Sequence, residues 1–579
     1  MAAALTETGG GSAHTIVRRQ RFGFYGAIVI GLAALILFVT GFPLLRMIQQ
    51  ALLPDGEFST ELWGRVFSGR GLGEAVMNTA ILVVCCNILV IPIAVVFAWL
   101  NERSDARMGV LSTFFPIVPL LLPPSTLAIG WLFLGDPGAG FLPAFIKWLL
   151  SFVGIDGGSV GFSIYSWFGL VFVYVLFLVP NSYVIVAASF RQLDPSLEEA
   201  ARMSGKSWWQ CLFQIAMPAV KPALGSAFLL TTIATIELYS IAAIIAGPAQ
   251  IIVLPTYLTR LINGRFPPAI DEAVCIGLMM MLVVASIWII QRRIAVMAQY
   301  ARIGGMGVRP NRISLGVWKI PARILLLIYM MMTSVLPIGA LFIVSLQNYW
   351  TPRINLSAMS IDNLINALLE PASAVAIRNS MVLGIVAATL TVFIAGTMAI
   401  YANEVGGRRG QWLGLLTKLP SAMSTLVLAI GLLLAFGPAP FFLNGTLYIL
   451  IIAYVIARMP QAAIASESSV AQIGNQLVEA SRVNGATKGR TFWKVLLPLT
   501  LPGMAAGWAL IFADIVGDLT AAAILSGPRN MVIGFRIQDI YESGTYSNLA
   551  ALAVVVTVFS AVAVGLVMRF ARPRFSRLT

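Results

Sequence analysis

Apolar runs long enough to cross a bilayer recur from one end of this chain to the other, and they leave it few folds to adopt. They lie near residues 24–48, 76–100, 109–134, 165–188, 222–246 and 273–291, and again near 322–346, 377–401, 411–436, 444–457, 499–526 and 547–568. About 20 apolar residues in a helix cover the roughly 30 Å of bilayer hydrocarbon. Inside lipid every backbone N–H and C=O must find its partner within the protein, which restricts spanning structures to helices and closed barrels. Barrel strands alternate in hydrophobicity; these runs do not. The sequence therefore predicts an all-α polytopic membrane protein with about 12 transmembrane helices. Composition supports this: 59% of the 579 residues are hydrophobic and 11% are charged, against about a quarter charged in soluble domains.

The formal net charge of +14 could suggest a nucleic-acid partner, but the basic residues fall in alternate loops. Arg18, Arg19 and Arg21 precede the first run, Arg103 and Arg107 follow the second, and Arg292, Arg293, Arg302, Arg309, Arg312, Lys319 and Arg323 lie mid-chain. Arg408 and Arg409 follow the eighth run, and Arg569, Arg572, Arg574 and Arg577 close the chain. Loops of the other parity carry acids such as Asp55, Glu57 and Glu61. By the positive-inside rule both termini and the mid-chain linker are expected in the cytoplasm, with the bilayer rather than a nucleic acid as partner. The polar first 23 residues lead into a full-length apolar run, which reads as an uncleaved first span. His14 is the single histidine, and Cys85, Cys86, Cys211 and Cys275 lack metal-ligand or disulfide spacing. No catalytic, metal or cofactor site is predicted.

One polar phrase occurs twice. Glu199-Ala200-Ala201, Gly205, Ile215 and Met217-Pro218 return as Glu479-Ala480-Ser481, Gly485, Val495 and Leu497-Pro498, each 280 positions later (479 − 199, 485 − 205, 498 − 218). Gly247-Pro248 and Gly527-Pro528 keep that offset. Earlier landmarks are 301 apart: Asn78-Thr79 with Asn379-Ser380 (379 − 78), and Ala128-Ile129-Gly130 with Ala429-Ile430-Gly431 (429 − 128). The first half thus carries an insertion, placed in the Gly-rich stretch 135–164 on the outer face, as a tolerated loop or a docking element. Two parallel repeats follow, with a pathway expected where they meet. The expected organisation is an N-terminal tail over 1–23, a first module over 24–291, a basic linker over 292–320 with Gly304, Gly305, Gly307 and Pro310, a second module over 321–570 and a tail over 571–579.

Asp194-Pro195-Ser196 reads as a helix start, with Glu198 and Glu199 where the helix dipole favours acids. Gly205 then permits a turn into a second amphipathic stretch, Trp208 to Phe213, and Met217-Pro218 marks the start of the next span. Each copy predicts a short helix–turn–helix on the cytoplasmic membrane face. Ser204-Gly205-Lys206-Ser207 resembles the tail of a phosphate-binding loop, but Ala200 stands where that loop needs glycine, so no ATPase is assigned to this chain.

With this spacing the chain resembles the permease subunits of binding-protein-dependent ABC importers, with one module per half. The fused arrangement together with Ile164-Tyr165-Ser166, Leu197 to Gly205 and Glu237-Leu238 is most similar to the ferric-iron permeases; thiamine, polyamine and aminoethylphosphonate importers share similar plans. The resemblance implies a bacterial inner membrane location, an external binding protein, and a cytoplasmic ABC ATPase, expected as a homodimer, that uses the ATP. It also implies that Glu199, Ala200, Ala201 and Gly205, and Glu479, Ala480, Ser481 and Gly485, form the ATPase-coupling helices. Both glutamates would make the polar contact and both glycines the turn, with Ser481 a small-residue departure from the pattern.

Three acids lie inside the apolar runs. Glu237 precedes Gly247 by ten residues and Asp518 precedes Gly527 by nine, with Asp514 one helical turn earlier on the same face. Ten residues of helix rise about 15 Å, near half the hydrocarbon depth. Carboxylates at that depth usually face a cavity or a partner. These three either line a cation-tolerant constriction between the halves or cap broken helices and bind neighbouring polar groups. The rival from another class is an ion-gradient-driven secondary transporter, which would need no ATPase.

Overall fold

The computed structural model describes residues 24–571 except 55–56, 59, 70, 110, 113–116, 121, 153–162, 194–195, 197–199, 202, 301–312 and 474. Among the described residues the fold is all-helical, with one isolated bridge between Ser104 and Ile313. Ten helices among the described residues are long and apolar enough to cross a membrane: Gly26–Leu52, Leu72–Arg103, Trp167–Arg191, Trp208–Glu237, Ile270–Ile294, Gly316–Ser345, Pro371–Val405, Leu447–Ala471, Gly489–Val516 and Tyr546–Val567. An eleventh crossing results if Gly407–Ala422 and Thr425–Phe436, bent by 93°, form one span. The third expected run of the first half, 109–134, is represented by shorter pieces, chiefly the helix Pro124–Gly135. Pro123-Pro124 begins that helix, and the 3-10 turn Leu419–Ala422 with Pro420 precedes its counterpart. Proline lacks the N–H that a continuous helix needs, so both runs turn there instead of passing straight through.

Each half has a three-helix core: Leu72–Arg103, Trp167–Arg191 and Met217–Glu237 in the first, Pro371–Val405, Leu447–Ala471 and Leu497–Val516 in the second. The opening helix of each half reaches across to the other half. Phe24–Leu52 packs on Thr425–Phe436 as well as on its own Ile270–Tyr300; Leu336–Ser345 packs on Pro124–Gly135 as well as on its own Tyr546–Ala571. Phe42 stacks edge-on against Phe436 at 5.6 Å, and Trp131 Nε1 donates to the Met332 carbonyl at 3.1 Å.

The 301-residue landmarks acquire a physical role. Asn78 Nδ2 donates to the Ile252 carbonyl (2.9 Å) and Asn379 Nδ2 to the Met531 carbonyl (2.8 Å). Thr79 Oγ1 accepts from Leu254 N–H (2.9 Å) and Ser380 Oγ from Ile533 N–H (2.8 Å). In both halves these side chains satisfy the backbone of the irregular loop that follows the fifth apolar run. The insertion leaves and rejoins at one point, where Ile164 N–H donates to the Gly135 carbonyl at 3.0 Å. Between these ends runs the helix Phe141–Ser151, with Phe145, Trp148 and Leu149 exposed.

The C-terminal end of the linker docks on the first half. Ile313 exchanges backbone hydrogen bonds with Arg103 (2.9 Å) and Asp105 (3.0 Å), and Arg323 donates to the carbonyls of Asp105, Ala106 and Arg107. Burial opposes ionisation of Asp105, but Leu315 N–H and the Lys319 ammonium at 3.1 Å outweigh it and hold the carboxyl below its ordinary range. A depressed carboxyl pKa adds stability above the ordinary value and loses it as pH falls through the depressed one, so linker docking weakens only at strongly acidic pH.

Gly130 and Gly431 sit at the two crossing points. A Cβ on Gly130 would lie 2.5 Å from Pro337 Cβ and 2.8 Å from its carbonyl oxygen, whereas on Gly431 the nearest atom is the mobile Met47 Sδ at 2.9 Å. Gly130→Ala is therefore expected to destabilise the purified protein by about 1–3 kcal/mol, with Gly431→Ala costing less. Thermal unfolding in detergent checks this, and equal melting temperatures for the two variants would contradict it.

Candidate functional site

Two separate constellations are built from the duplicated elements: a pair of loops beyond the cores, and a pair of helix breaks where the halves meet.

In the first loop Ala200, Ala201 and Met203 are helical, and Gly205 ends the helix at φ +80°. In the second, the helix Asn475–Val483 ends at Gly485 with φ +76°. Ser204 N–H donates to the Ala200 carbonyl and Lys206 N–H to that of Ala201, both at 3.1 Å; Asn484 to Ala480 and Ala486 to Ser481 repeat this at 3.1 Å. A left-handed glycine closing such bonds satisfies the last helix carbonyls and turns the chain. The next helix starts with the same cap in each copy. Ser207 Oγ accepts from Gln210 N–H, and Thr487 Oγ1 accepts from Arg490 N–H.

That second helix differs from expectation. It begins at Trp208 and runs through the π-turn Leu212–Ala216 into Met217–Glu237, so Met217-Pro218 lies within the span rather than at its start. The second copy does the same through Phe492–Leu496. Lys206 Nζ, the lysine of the apparent phosphate loop, donates to Gln214 Oε1 at 2.7 Å.

Glu479 and Ala480 are exposed, whereas Ser481 Oγ bonds Thr491 Oγ1 at 2.9 Å and ties the two arms of the loop together. Their counterparts in the first copy are the buried Ala201 and Cys211, so the serine is matched by a threonine at the facing position. Glu199 lies outside the described residues. Sequence reasoning missed Met203 and Val483, which share the 280 offset (483 − 203) and are 90% and 88% exposed. Each loop thus presents one large apolar side chain to solvent at the same place. Arg103, fully buried, donates through Nη1 to the Leu193 carbonyl at 3.3 Å, fixing the chain where it enters the first loop.

The fifth span of each half stops earlier than its apolar run. Met217–Glu237 gives way at Leu238 to extended backbone, and Leu497–Val516 gives way at Gly517. Tyr174 hydroxyl donates to the Leu238 carbonyl at 2.6 Å. Tyr454, 280 positions after Tyr174, lies instead within electrostatic range of the Asp518 carboxylate. Ser125 Oγ crosses from the first half to donate to the Gly517 carbonyl at 3.3 Å.

Asp518 caps the short helix after its break, accepting Ala521 N–H at 2.8 Å. Arg458, from the helix Leu447–Ala471, joins the acids: Nη2 lies 3.4 Å from Asp518 Oδ1 and Nη1 3.6 Å from Asp514 Oδ2. Gln461 Nε2 donates to Asp514 Oδ2 at 3.3 Å. Glu237 ends its helix within electrostatic range of the same arginine. The three acids thus gather around Arg458, which also escaped sequence reasoning; its signal was an arginine within a span read only for acids. Among the described residues no group of three or more His, Cys, Asp and Glu could hold a metal ion.

Residues 91–296 and 380–577 each match the family described as binding-protein-dependent transport system inner membrane component. A putative ferric transport system permease protein of Haemophilus influenzae is 23% identical over 519 residues, covering 87% of this chain and 78% of that protein. A ferric transport system permease protein of Actinobacillus pleuropneumoniae is 23% identical, over 87% of this chain and 72% of its own. A putative 2-aminoethylphosphonate transport system permease protein of Salmonella typhimurium is 24% identical over 39% of this chain and 84% of its own length. Among solved structures, a bacterial alginate ABC transporter in complex with an alginate pentasaccharide-bound periplasmic protein matches 48% of this chain and 95% of its own at 18% identity, with a TM-score of 0.39. The chain belongs to the inner membrane components of binding-protein-dependent transport systems: it is a multi-pass permease that carries the family's unit twice in one polypeptide.

Proposed function

We propose that this chain is the complete membrane pathway of an ATP-driven importer, receiving a small solute from an external binding protein and releasing it into the cytoplasm by alternating access. The observation that carries this reading is the pair of loops with the same glycine turn, an equivalent Ser or Thr cap and an exposed apolar residue at the same place, 280 positions apart. Two alike loops suit an ATPase with two alike subunits, so the partner is a homodimer that hydrolyses the ATP while this chain binds no cofactor and performs no covalent chemistry. Met203 and Val483 enter its grooves, and Glu199 and Glu479 make the flanking polar contacts. The loops, the linker and both termini lie in the cytoplasm, as the distribution of arginine and lysine requires.

The loops transmit force because each runs without interruption into a span that ends at a break. Moving Trp208–Glu237 and Gly489–Val516 moves Glu237 on one side and Asp514 and Asp518 on the other. These carboxyls line the route, which favours a cationic cargo. Ferric iron is the substrate this reading adopts, because several relatives aligned over most of the chain are named as ferric transport permeases. Aminoethylphosphonate is the second reading, favoured by a relative that matches one half.

Replacing Glu199 and Glu479 together by Arg is expected to abolish ATP-dependent uptake while leaving the chain in the membrane at normal amounts; normal uptake would contradict the coupling role. Glu237→Gln with Asp518→Asn should slow uptake of a cationic cargo roughly ten- to a hundredfold, since a hydrogen bond to a charged group contributes about 1.5–3 kcal/mol. Unchanged uptake would exclude these carboxyls from the route. Deleting the chain should abolish uptake of labelled ferric iron and spare aminoethylphosphonate, and the reverse pattern would replace the substrate.

A further inference from the structure

The two halves match closely around their breaks except in charge. Tyr174 and Pro180 have their counterparts in Tyr454 and Pro460, each 280 positions later, but Arg458 corresponds in sequence to the first half's Leu178 and Asp514 to its Ala234. A single arginine therefore stands at the meeting point of the halves, among three carboxyl groups, with no basic counterpart opposite. We propose that Arg458 is a tethered counter-cation: it occupies the Asp514–Asp518 pair when no cargo is present, yields to an incoming polyvalent cation, and returns to expel that cation toward the cytoplasm. This rests on the translocation route proposed above and adds the residue that selects what may use it.

Three observations carry the inference. First, the pairing is loose. At 3.4 and 3.6 Å it is longer than the roughly 2.7–2.9 Å of a tight charge-assisted hydrogen bond. The buried Nε–H of Arg458 has no hydrogen-bond partner. Elsewhere in the chain, Lys418 approaches Glu467 to 2.5 Å.

Second, neither acid depends on the arginine for its position. Asp518 also accepts from Ala521 N–H, and Asp514 also accepts from Gln461. Withdrawal of Arg458 would leave two carboxylates still held in place by neutral donors, a pair of hard oxygen ligands that a passing cation can engage without being caged. Third, the charge ratio decides the competition. Attraction to the acid pair scales with the charge of the ion. A free monovalent ion offers no more charge than the guanidinium and must also surrender its translational freedom, whereas a trivalent ion offers three times as much.

Terbium(III) is a hard trivalent probe whose luminescence is sensitised by nearby phenol rings, and Tyr454 borders the site. Titration of the purified full chain in detergent reads displacement alone, without ATPase, binding protein or cargo, so its failure is distinct from a failure of import. Arg458→Gln should bind terbium at least about tenfold more tightly than the native chain, because the acids lose their resident competitor. Arg458→Leu restores the residue found in the other half and should do the same if the glutamine variant fails to fold. Adding Asp514→Asn and Asp518→Asn to either variant should remove the tightened binding. Equal affinities in the native chain and both variants, or tightened binding that survives loss of the two acids, would overturn the proposal.

Discussion

Everything distinctive in this fold depends on keeping the backbone satisfied where a helix stops inside the membrane. An unpaired N–H or C=O in hydrocarbon costs several kcal/mol, so a span can break only where side chains replace its missing bonds. The Tyr174 hydroxyl does this at Leu238, and Ser125 does it at Gly517 from the opposite half. Asp518 turns its carboxylate onto Ala521 N–H and so starts the next short helix. The intramembrane acid is therefore both the cap of a broken helix and a member of a charge cluster. Capping uses one carboxylate oxygen, and Arg458 approaches the other.

The duplication keeps turn and cap in the cytoplasmic loops but loses its charge match at the helix breaks. Cytoplasmic loops with the same turn and cap suit partners that move alike. At the breaks, Arg458 and Asp514 have only Leu178 and Ala234 as counterparts. On the proposed function, a symmetric drive acting on an asymmetric lining would let one residue set selectivity without altering how either loop is driven.

Much of this was legible in the sequence because lipid imposes so strong a constraint. Apolar run length located the helices, and a fixed 280-residue offset located both glycine turns. What run length could not convey is continuity. The runs 222–246 and 499–526 are apolar beyond their breaks, since short helices lodged between the halves are as buried as spans. The 109–134 and 411–436 runs turn at proline rather than crossing straight. Arg458 went unseen because a lone cation in a span reads as an exception until its acids are placed beside it. Met203 and Val483 look like ordinary apolar residues, and only exposure on a polar loop distinguishes them.

The central claim is that both loops move together when the ATPase closes. Spin labels at positions 213 and 493, matched exposed positions on the second arm of each loop and outside the proposed groove contacts, report this directly by their separation in the assembled complex in lipid. The account predicts that the distance shortens when ATP is bound and hydrolysis is blocked, and lengthens again after hydrolysis. A distance that stays the same through the cycle would contradict it.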